Sequence, residues 1–497
     1  MKDRNMHLCL DEPVIFLRGS RGRRGVVFEG EQKVASAPAG IPEKMLRSSP
    51  PLLPEVSEAE VVRHFTRLSS WNFSIDTGFY PLGSCTMKYN PRLNEAAARL
   101  PGFSRIHPYA PTAMVQGALE LLYNLEQWLS SICGFDAFTL QPAAGAHGEL
   151  TSILIIRKYL ESTGNPRKNI LIPDTAHGTN PATSYQCGYR TVKVASGEDG
   201  ILHPEIVEPL VDEDTAAIMV TNPNTLGLFE KNIREIAEIV HRKGGLVFGD
   251  GANMNAMIGK IKPASLGIDV MQLNLHKTFS TPHGGGGPGS GPVGVVEKLE
   301  PFLPVPRVRK DDGGALYLDE SLPHTIGRIR SFYGNFGVMV RAYAYLLACG
   351  GENLAGIAEL SVLNANYLLS LISGLFHRPY GGTVMHEFVV TDKTLKKETT
   401  VDTTDVAKRL IDKGFHPPTI HFPLVVHGAL MIEPTETETP ETLEEFAAAL
   451  RQIVEEARRD PSKVKQAPST TKRRRPNDTL AARNPVLTWQ PAHRESE

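Results

Sequence analysis

Lys277 sits in the string "NLHKTFSTPHGGGGPGSG", directly after His276 and just ahead of Gly284 to Gly291, a block of eight residues holding six glycines. Glycine at that density weakens regular structure and suits a place where backbone must come close to something that is not protein. Asp250 lies 27 positions earlier, at the end of the apolar run "GLVFGD" and just before Gly-Ala-Asn. A strand ending on a carboxylate delivers it to the carboxyl edge of a parallel sheet, where ligands of open α/β folds bind. An amine and an acid so placed can face each other across a ligand. Pyridoxal phosphate chemistry uses that pair: a lysine holds the aldehyde as a Schiff base, and an acid keeps the pyridine nitrogen protonated so that the ring accepts electrons from a substrate carbon. The same two residues would equally serve as a surface lysine and an ordinary strand-end aspartate.

Such a cofactor also needs a phosphate cradle. "QPAAGAHGELT" (141–151) places small residues, Ala143 to Ala146, between a strand-like "FTLQ" and a helix-like segment, so that backbone N–H groups and the positive end of a helix can reach a dianion. No GK[ST] follows, which excludes a Walker loop, and a plain tight turn would use the same residues. Two further polar loops follow strands: "DTAHGTNPAT" (174–183) offers His177, and "TNPNTLGLFE" (221–230) offers Thr221, Asn222 and Asn224. An imidazole there could stack on a flat ring or simply pack in a loop. Upstream, "FYPLGSCTMKYNP" (79–91) is a compact polar loop with Ser84, Cys85, Thr86 and Lys88.

The elements that must position these residues follow from periodicity. Over 115–133, Ala118, Leu121, Leu122, Leu125, Trp128, Leu129 and Ile132 recur at three and four, the stripe of a buried helix. Apolar runs at 169–172, 216–220, 245–250 and 292–296 alternate with amphipathic or turn-rich segments, and "REIAEIVHRKGG" (234–245) ends in Gly-Gly as a helix does. This predicts an α/β fold with a mainly parallel sheet covered on both faces. Past Leu346, strand-like "HEFVVT" (386–391) and "ALMIEP" (429–434) and a helix opening at Thr439 and Pro440 predict a smaller α+β domain. The expected division is an extended arm at 1–65, a large cofactor-binding domain at 66–345, a small domain at 346–460 and a basic polar tail at 461–497.

The 497 residues, 41% hydrophobic and 22% charged with net charge −2, fit a soluble chain of more than one structural unit, without a global pull toward nucleic acid or anionic lipid. The five cysteines, Cys9, Cys85, Cys133, Cys187 and Cys349, show no CxxC pair and no metal-ligand spacing, so they read as reduced thiols and no metal is expected. The first residues carry charges through what would have to be an apolar signal core, and no later run reads as long and apolar enough to cross a bilayer; the expectation is a cytoplasmic protein. The basic "KRRRP" (472–476) reads as a solvated tail or a subunit contact, against a nucleic-acid or membrane contact.

Assembled, these segments resemble the pyridoxal-phosphate-dependent glycine decarboxylases of the glycine cleavage system, the P-protein family. The resemblance runs from "YPLGSCTMKYNP" and "HPYAPT" through "LQPAAGAHGELT", "AHGTNPA", "TNPNTLGLFE", "DGANMNA" and "NLHKTFSTPHGGGGPG" to "MHEFV", "HPPTIHFP" and "LMIEPTETE", nearly the whole chain. It implies a fold type I architecture of the aspartate aminotransferase kind. It implies Lys277 at the Schiff-base position, Asp250 as pyridinium partner, Ala252 beneath the ring, His177 stacked on it, and Ala144, Gly145 and Ala146 as the phosphate loop. It also suggests Asn222 and His276 for the cofactor and Ser84 and Thr86 for the substrate. The family occurs as one chain of about twice this length or as two subunits, and this chain resembles the second, lysine-bearing subunit. The implied reaction is decarboxylation of glycine with transfer of the aminomethyl group to the oxidised lipoyl arm of H-protein, beside a homologous first subunit in an α2β2 assembly. A non-catalytic structural subunit is the alternative, and the presence of Lys277, Asp250 and His177 speaks against it. On this reading the glycine block lets backbone approach the cofactor and leaves a passage for a long prosthetic arm; a mobile packing loop is the other possibility.

Overall fold

The computed structural model describes residues 11–25, 40–49 and 51–489. Residues 1–10, 26–39 and 50 of the expected arm, and 490–497 of the tail, lie outside the described residues.

Seven strands form the main sheet: β1 (Ala137–Thr139), β2 (Asn169–Pro173), β3 (Arg190–Val194), β4 (Thr215–Thr221), β5 (Leu246–Gly251), β6 (Val270–Leu273) and β7 (Val293–Val295), in the order β1-β7-β6-β5-β4-β2-β3. Strands β2 to β6 run parallel, and β7 is antiparallel to both its neighbours. The apolar runs are continuous because both faces are covered. Along β4, Ile218 and Val220 join Val247 and Met271 in one core, while Ala217 and Met219 join Phe248 and Val270 in the other. The first core is closed by helix Gln116–Cys133, with Leu122, Leu125 and Leu129 buried, and by helix Ile233–Arg242, with Ile233, Ile236 and Val240 buried. Helix Gly145–Ser162 closes the second with Ile153, Ile156 and Leu160. The 115–133 stripe predicts its helix to within a residue, and Gly134 ends it at φ 80°.

Two features went unforeseen. Strand β3 lies at the sheet edge and is largely exposed, so it carries no apolar run; the hairpin β8 (Arg307–Lys310) with β9 (Leu316–Asp319) is short and charged. The C-terminal strands form a three-stranded antiparallel sheet, β10 (Phe388–Thr391), β12 (Ala429–Ile432) and β11 (Thr419–Ile420), in that order. Helix Pro440–Arg459 accompanies it, its N-terminus capped by the Thr439 hydroxyl, which accepts from Thr442 N at 3.3 Å.

The helix Phe336–Leu371 corrects one expectation: by length and composition it is apolar enough to cross a membrane. Its backbone breaks at Gly350 (φ 68°, ψ 156°), and Val338, Met339, Val340, Ala342 and Leu346 of its first half are buried in the core of the sheet. Only 28% of its most apolar window is buried, and Leu347, Leu360 and Leu363 are exposed.

By contacts the chain groups into two compact units, one of Ile75–Leu410 with His416–Lys465, the other of the described parts of Met1–Ser74, Ile411–Phe415 and Gln466–Glu497. The first holds both larger sheets. In the second, helix Glu58–Ser69 opens with a capping box between Ser57 and Glu60, and buried Glu12 takes His64 at 2.8 Å and Arg67 at 3.1 Å. The basic run is used inside this unit: Lys472 pairs with Asp11 at 3.3 Å, and Arg474 and Arg475 donate to the Pro468 and Ala467 carbonyls.

Phe248 is fully buried in the strand that delivers Asp250. Phe248→Ala is expected to cost about 3–5 kcal/mol of stability, read as a lower denaturant midpoint at unchanged slope.

Candidate active site

Three strands end side by side with Thr221 opposite Asp250 and Asp250 opposite Gln272. The Asp250 carboxylate, 2% exposed, accepts from Gln272 Nε2 at 2.6 Å, Ala252 N at 3.0 Å and Asn180 Nδ2 at 3.3 Å. Among the described residues no cation forms an ion pair with it. A buried carboxylate answered only by amides is suited to receive a cation from a ligand. Asn180 bridges to a second acid, donating to Glu149 Oε2 at 2.8 Å, while Thr179 donates to Glu149 Oε1 at 2.9 Å.

Lys277 follows β6 through a turn. Its Nζ donates to the Ser84 carbonyl at 2.7 Å. The Ser84 hydroxyl lies 2.6 Å from His177 Nε2, and the His177 ring stacks on Phe422 at 4.8 Å and 24°. Burial holds His177 below its ordinary pKa; Asp250 pulls it up and Lys277 pushes it down, which places the imidazole within electrostatic reach of both. The structure therefore brings Lys277, Asp250, His177 and Ser84 into one cluster. Ala252 joins it through its amide on Asp250.

The 144–146 stretch opens helix Gly145–Ser162, whose first amides have no side-chain cap. A Cβ on Gly145 would stand 2.4 Å from Asn274 Oδ1, and one on Gly291 would stand 2.0 Å from the Ala144 carbonyl. Asn335 ties the two loops, donating to Gly289 O at 2.6 Å and Ala143 O at 3.3 Å. His276 Nδ1 accepts from Ser290 N at 3.4 Å, and burial, with His283 and Lys277 adding to it, lowers its pKa to about 3, leaving a neutral imidazole beside the loop. The Ala146 side chain is exposed. These features fit a phosphorylated aromatic aldehyde: a lysine for its carbonyl, an uncompensated buried acid for a ring cation, and an uncapped helix N-terminus with backbone crowding that only glycine permits.

Asn222 stands apart. Its amide closes its own loop, with Nδ2 on Glu230 O at 3.4 Å and Oδ1 accepting from Glu230 N at 3.0 Å. Thr86 belongs to a neighbouring group: its N and Oγ1 donate to Glu433 at 2.8 and 2.7 Å, and Asn253 Nδ2 donates to Glu433 Oε1 at 2.8 Å. Sequence reasoning missed Glu149, Glu387 and Glu433. Their signal was a carboxylate inside an apolar string, in "GELT", "HEFV" and "MIEP". Lys88, named in the 79–91 loop without a role, is buried with Nζ on Thr278 O at 2.7 Å and Glu436 at 2.6 Å, which fixes the residue next to Lys277.

Residues 147–287 match the family model for aminotransferase class V, and 357–474 match that for the C-terminal domain of glycine dehydrogenase. Solved structures of the same fold include a glycine decarboxylase (P-protein) of the glycine cleavage system in inhibitor-bound form, at TM-score 0.69 and 22% identity over 83% of this chain and 93% of that one. The cysteine desulfurase CsdA of Escherichia coli aligns at TM-score 0.59 and 14% identity over 76% and 95%. The fold is thus that of the fold type I pyridoxal phosphate enzymes, and the chain is an enzyme of that class. Among relatives, the probable glycine dehydrogenase (decarboxylating) subunit 2 of Kosmotoga olearia is 54% identical over 96% of this chain and 99% of its own. That of Pyrococcus horikoshii is 51% identical over 97% and 96%. The chain belongs to the glycine dehydrogenase (decarboxylating) subunit 2 family.

Burial, and secondly the charge of Asp250, push Glu149 up to about 7. The folded chain holds this proton more tightly than the unfolded one, so the stabilisation is complete below the unfolded value of 4.5 and is lost as pH rises through about 7. Glu149→Gln has no proton to lose; its stability relative to the parent is expected to be higher at pH 8 than at pH 5, checked by denaturant midpoints at both.

Proposed function

We propose that this chain is the lysine-bearing subunit of a two-subunit glycine decarboxylase, which uses pyridoxal 5'-phosphate to decarboxylate glycine and passes the aminomethyl group to the oxidised lipoyl arm of H-protein. The observation that carries the reading is the cluster of Lys277, Asp250 and His177 at one edge of a fold type I sheet, with Ser84 linking Lys277 to His177 and Asp250 within electrostatic reach of His177. The family names of its relatives support the substrate, and their designation as subunit 2 supports a first subunit as partner, most simply in an α2β2 assembly.

Each residue has a role in this reading. Lys277 would hold the cofactor aldehyde and, once freed, carry a proton. The 144–146 amides with His276 would bind the phosphate; His177 would cover the ring face opposite Ala252. When bound, the cofactor supplies a ring that takes up the electron pair left on the glycine α-carbon as carbon dioxide departs. Asp250 would hold the ring nitrogen of the bound cofactor and so favour the charge-separated transition state over the ground state. Ser84 and Thr86 border the space where the amino acid would lie. The loop Gly284 to Gly287, where an added Cβ at Gly285, Gly286 or Gly287 would meet nothing within 4 Å, would let a prosthetic arm pass. The reaction is placed in the cytoplasm, without nucleic acid or membrane.

Purified with its partner subunit and H-protein, the parent chain should show the visible band of the bound cofactor and glycine-dependent release of carbon dioxide. Lys277→Ala should lose both. Asp250→Asn should lower kcat by ~10²–10⁴-fold, the range for groups that act in the transition state, while cofactor occupancy changes far less. A parent chain that stays colourless with added cofactor and partner would overturn the proposal.

A further inference from the structure

Beside Lys277 lies a group that the mechanism above leaves unused. His386, Glu387 and Glu433 converge from the approach to β10 and the end of β12, and their side-chain N and O atoms lie within 4.8 Å of one another. All three are buried: His386 is 1%, Glu387 3% and Glu433 0% exposed. Among the described residues neither carboxylate forms an ion pair with a lysine or arginine. The titratable groups facing them are Lys277 from the turn after β6, Cys85 from the 79–91 loop, and His386 itself.

Two carboxylates this close, in a dry site and without a cation, cannot both stay ionised. Burial raises both acids, and their donors set which of the two is the easier to ionise. Glu433 accepts from Thr86 N, Thr86 Oγ1 and Asn253 Nδ2, whereas Glu387 accepts only from Ser84 N, at 2.6 Å on Oε2. The other Glu387 oxygen, Oε1, is 3.7 Å from His386 Nε2. Neither ring nitrogen of His386 has a hydrogen-bond partner. Burial raises Glu387 well above the carboxylate range, with Glu433 adding to it, and burial lowers His386 to about 3. The imidazole is therefore neutral, with one nitrogen free to accept and the other to donate.

We propose that Glu387 stores one proton beside Lys277 and that neutral His386 exchanges it with the Lys277 amine. The step balances as a single proton transfer: the Glu387 O–H breaks and one imidazole nitrogen takes the proton, while the other ring nitrogen gives its own to the amine. A carboxylic acid and an amine become a carboxylate and an ammonium, with no electrons exchanged. The ammonium then answers the pair, which has become doubly negative. Glu387, Glu433 and His386 are thus positioning residues for the charge of Lys277. The inference rests on Lys277 being the cofactor lysine, since only a lysine that alternates between bound and free needs a proton store.

The test uses the cofactor-free full chain first. In infrared difference titration, a protonated-carboxyl signal should persist at pH 7, far above the ~4.3 of an ordinary glutamate. Glu149, itself raised to about 7, contributes to that signal, so Glu387→Gln should remove one component of it and leave the rest. In Lys277→Ala, which removes one hydrogen bond to a backbone carbonyl and the amine that faces the pair, the signal should persist to higher pH than in the parent, because the charge that favours ionisation is gone. In the cofactor-loaded chain, Glu387→Gln should move the pH midpoint of the visible band downward, since the variant pair never becomes doubly negative. His386→Ala should leave that midpoint in place but slow the response to a pH jump by tenfold or more. A signal unchanged in Glu387→Gln, or unmoved by Lys277→Ala, overturns the proton store; a pH-jump response as fast in His386→Ala as in the parent overturns the exchange. Should Glu387→Gln fail to fold, the Lys277→Ala shift still decides. A visible band that survives Lys277→Ala would sink the functional reading instead, while the infrared result still decides whether Glu387 holds the proton.

Discussion

The peptide at Ser84 is the constraint on which the site depends. Its carbonyl holds the Lys277 amine, its amide donates to Glu387, and its hydroxyl meets His177. One residue can serve three directions because its backbone is turned into the left-handed region, at φ 67°, with Thr86 following at φ 51°. Such conformations cost of order 1–3 kcal/mol in a residue other than glycine and persist only where surrounding contacts over-determine them. Here the over-determination is visible. Leu82 bridges to Ile432 of β12, and Gly83 packs so closely that a Cβ would stand 2.3 Å from Met431. The small sheet is thereby a template for the loop that aims the lysine, and a disturbance of β12 reaches Lys277 through a single peptide.

Charge balance is the second constraint. Asp250, Glu149, Glu387 and Glu433 are all buried around one half-buried amine. A low-dielectric interior does not hold four negative charges against one positive charge, so the site divides them by hydrogen bonding. Asp250 and Glu433 each take three donors, Glu149 two and Glu387 one; burial raises Glu149 and Glu387 into or above the neutral range and raises Glu433 as well. The acids thus form two couples, Asp250 with Glu149 and Glu433 with Glu387, each with one member that takes three donors and one that takes fewer. The imidazoles follow the same rule: His177, His276, His283 and His386 are all lowered by burial, so the site has neutral donors and acceptors and no second cation.

What the sequence made legible follows the same physics. Strands β2, β4 and β5 were readable because burial on both faces demands unbroken apolar runs, and the helix at Gln116–Cys133 because one stripe must be apolar. β3 was not, because an exposed edge strand needs no such run, and the charged hairpin β8–β9 offers little to distinguish it from a loop. Lys277, Asp250 and His177 could be picked out as polar residues at the ends of apolar runs. The same rule also marked Asn222, which stands at a strand end and spends its amide on Glu230. It was blind to Glu387 and Glu433, whose chemistry arises only when β10 and β12 bring them together.

The glycine block shows how one composition can have two causes. At Gly289 and Gly291 the reason is space, since a Cβ would press on His276 or collide with the Ala144 carbonyl, and the buried backbone there is packed against the loop that opens helix Gly145–Ser162. From Gly284 to Gly287 the reason is torsion: all four have positive φ, and a Cβ on the last three would meet nothing. A side chain added at Gly285, Gly286 or Gly287 is therefore opposed only by backbone strain of about 1–2 kcal/mol per residue, whereas one at Gly284 would also stand 1.9 Å from the Gly287 carbonyl and one at Gly291 must move the helix terminus itself. The entropy lost in ordering so many glycines is thus spread over two tasks, a rigid wall against the helix and a turn that leaves the space above it open.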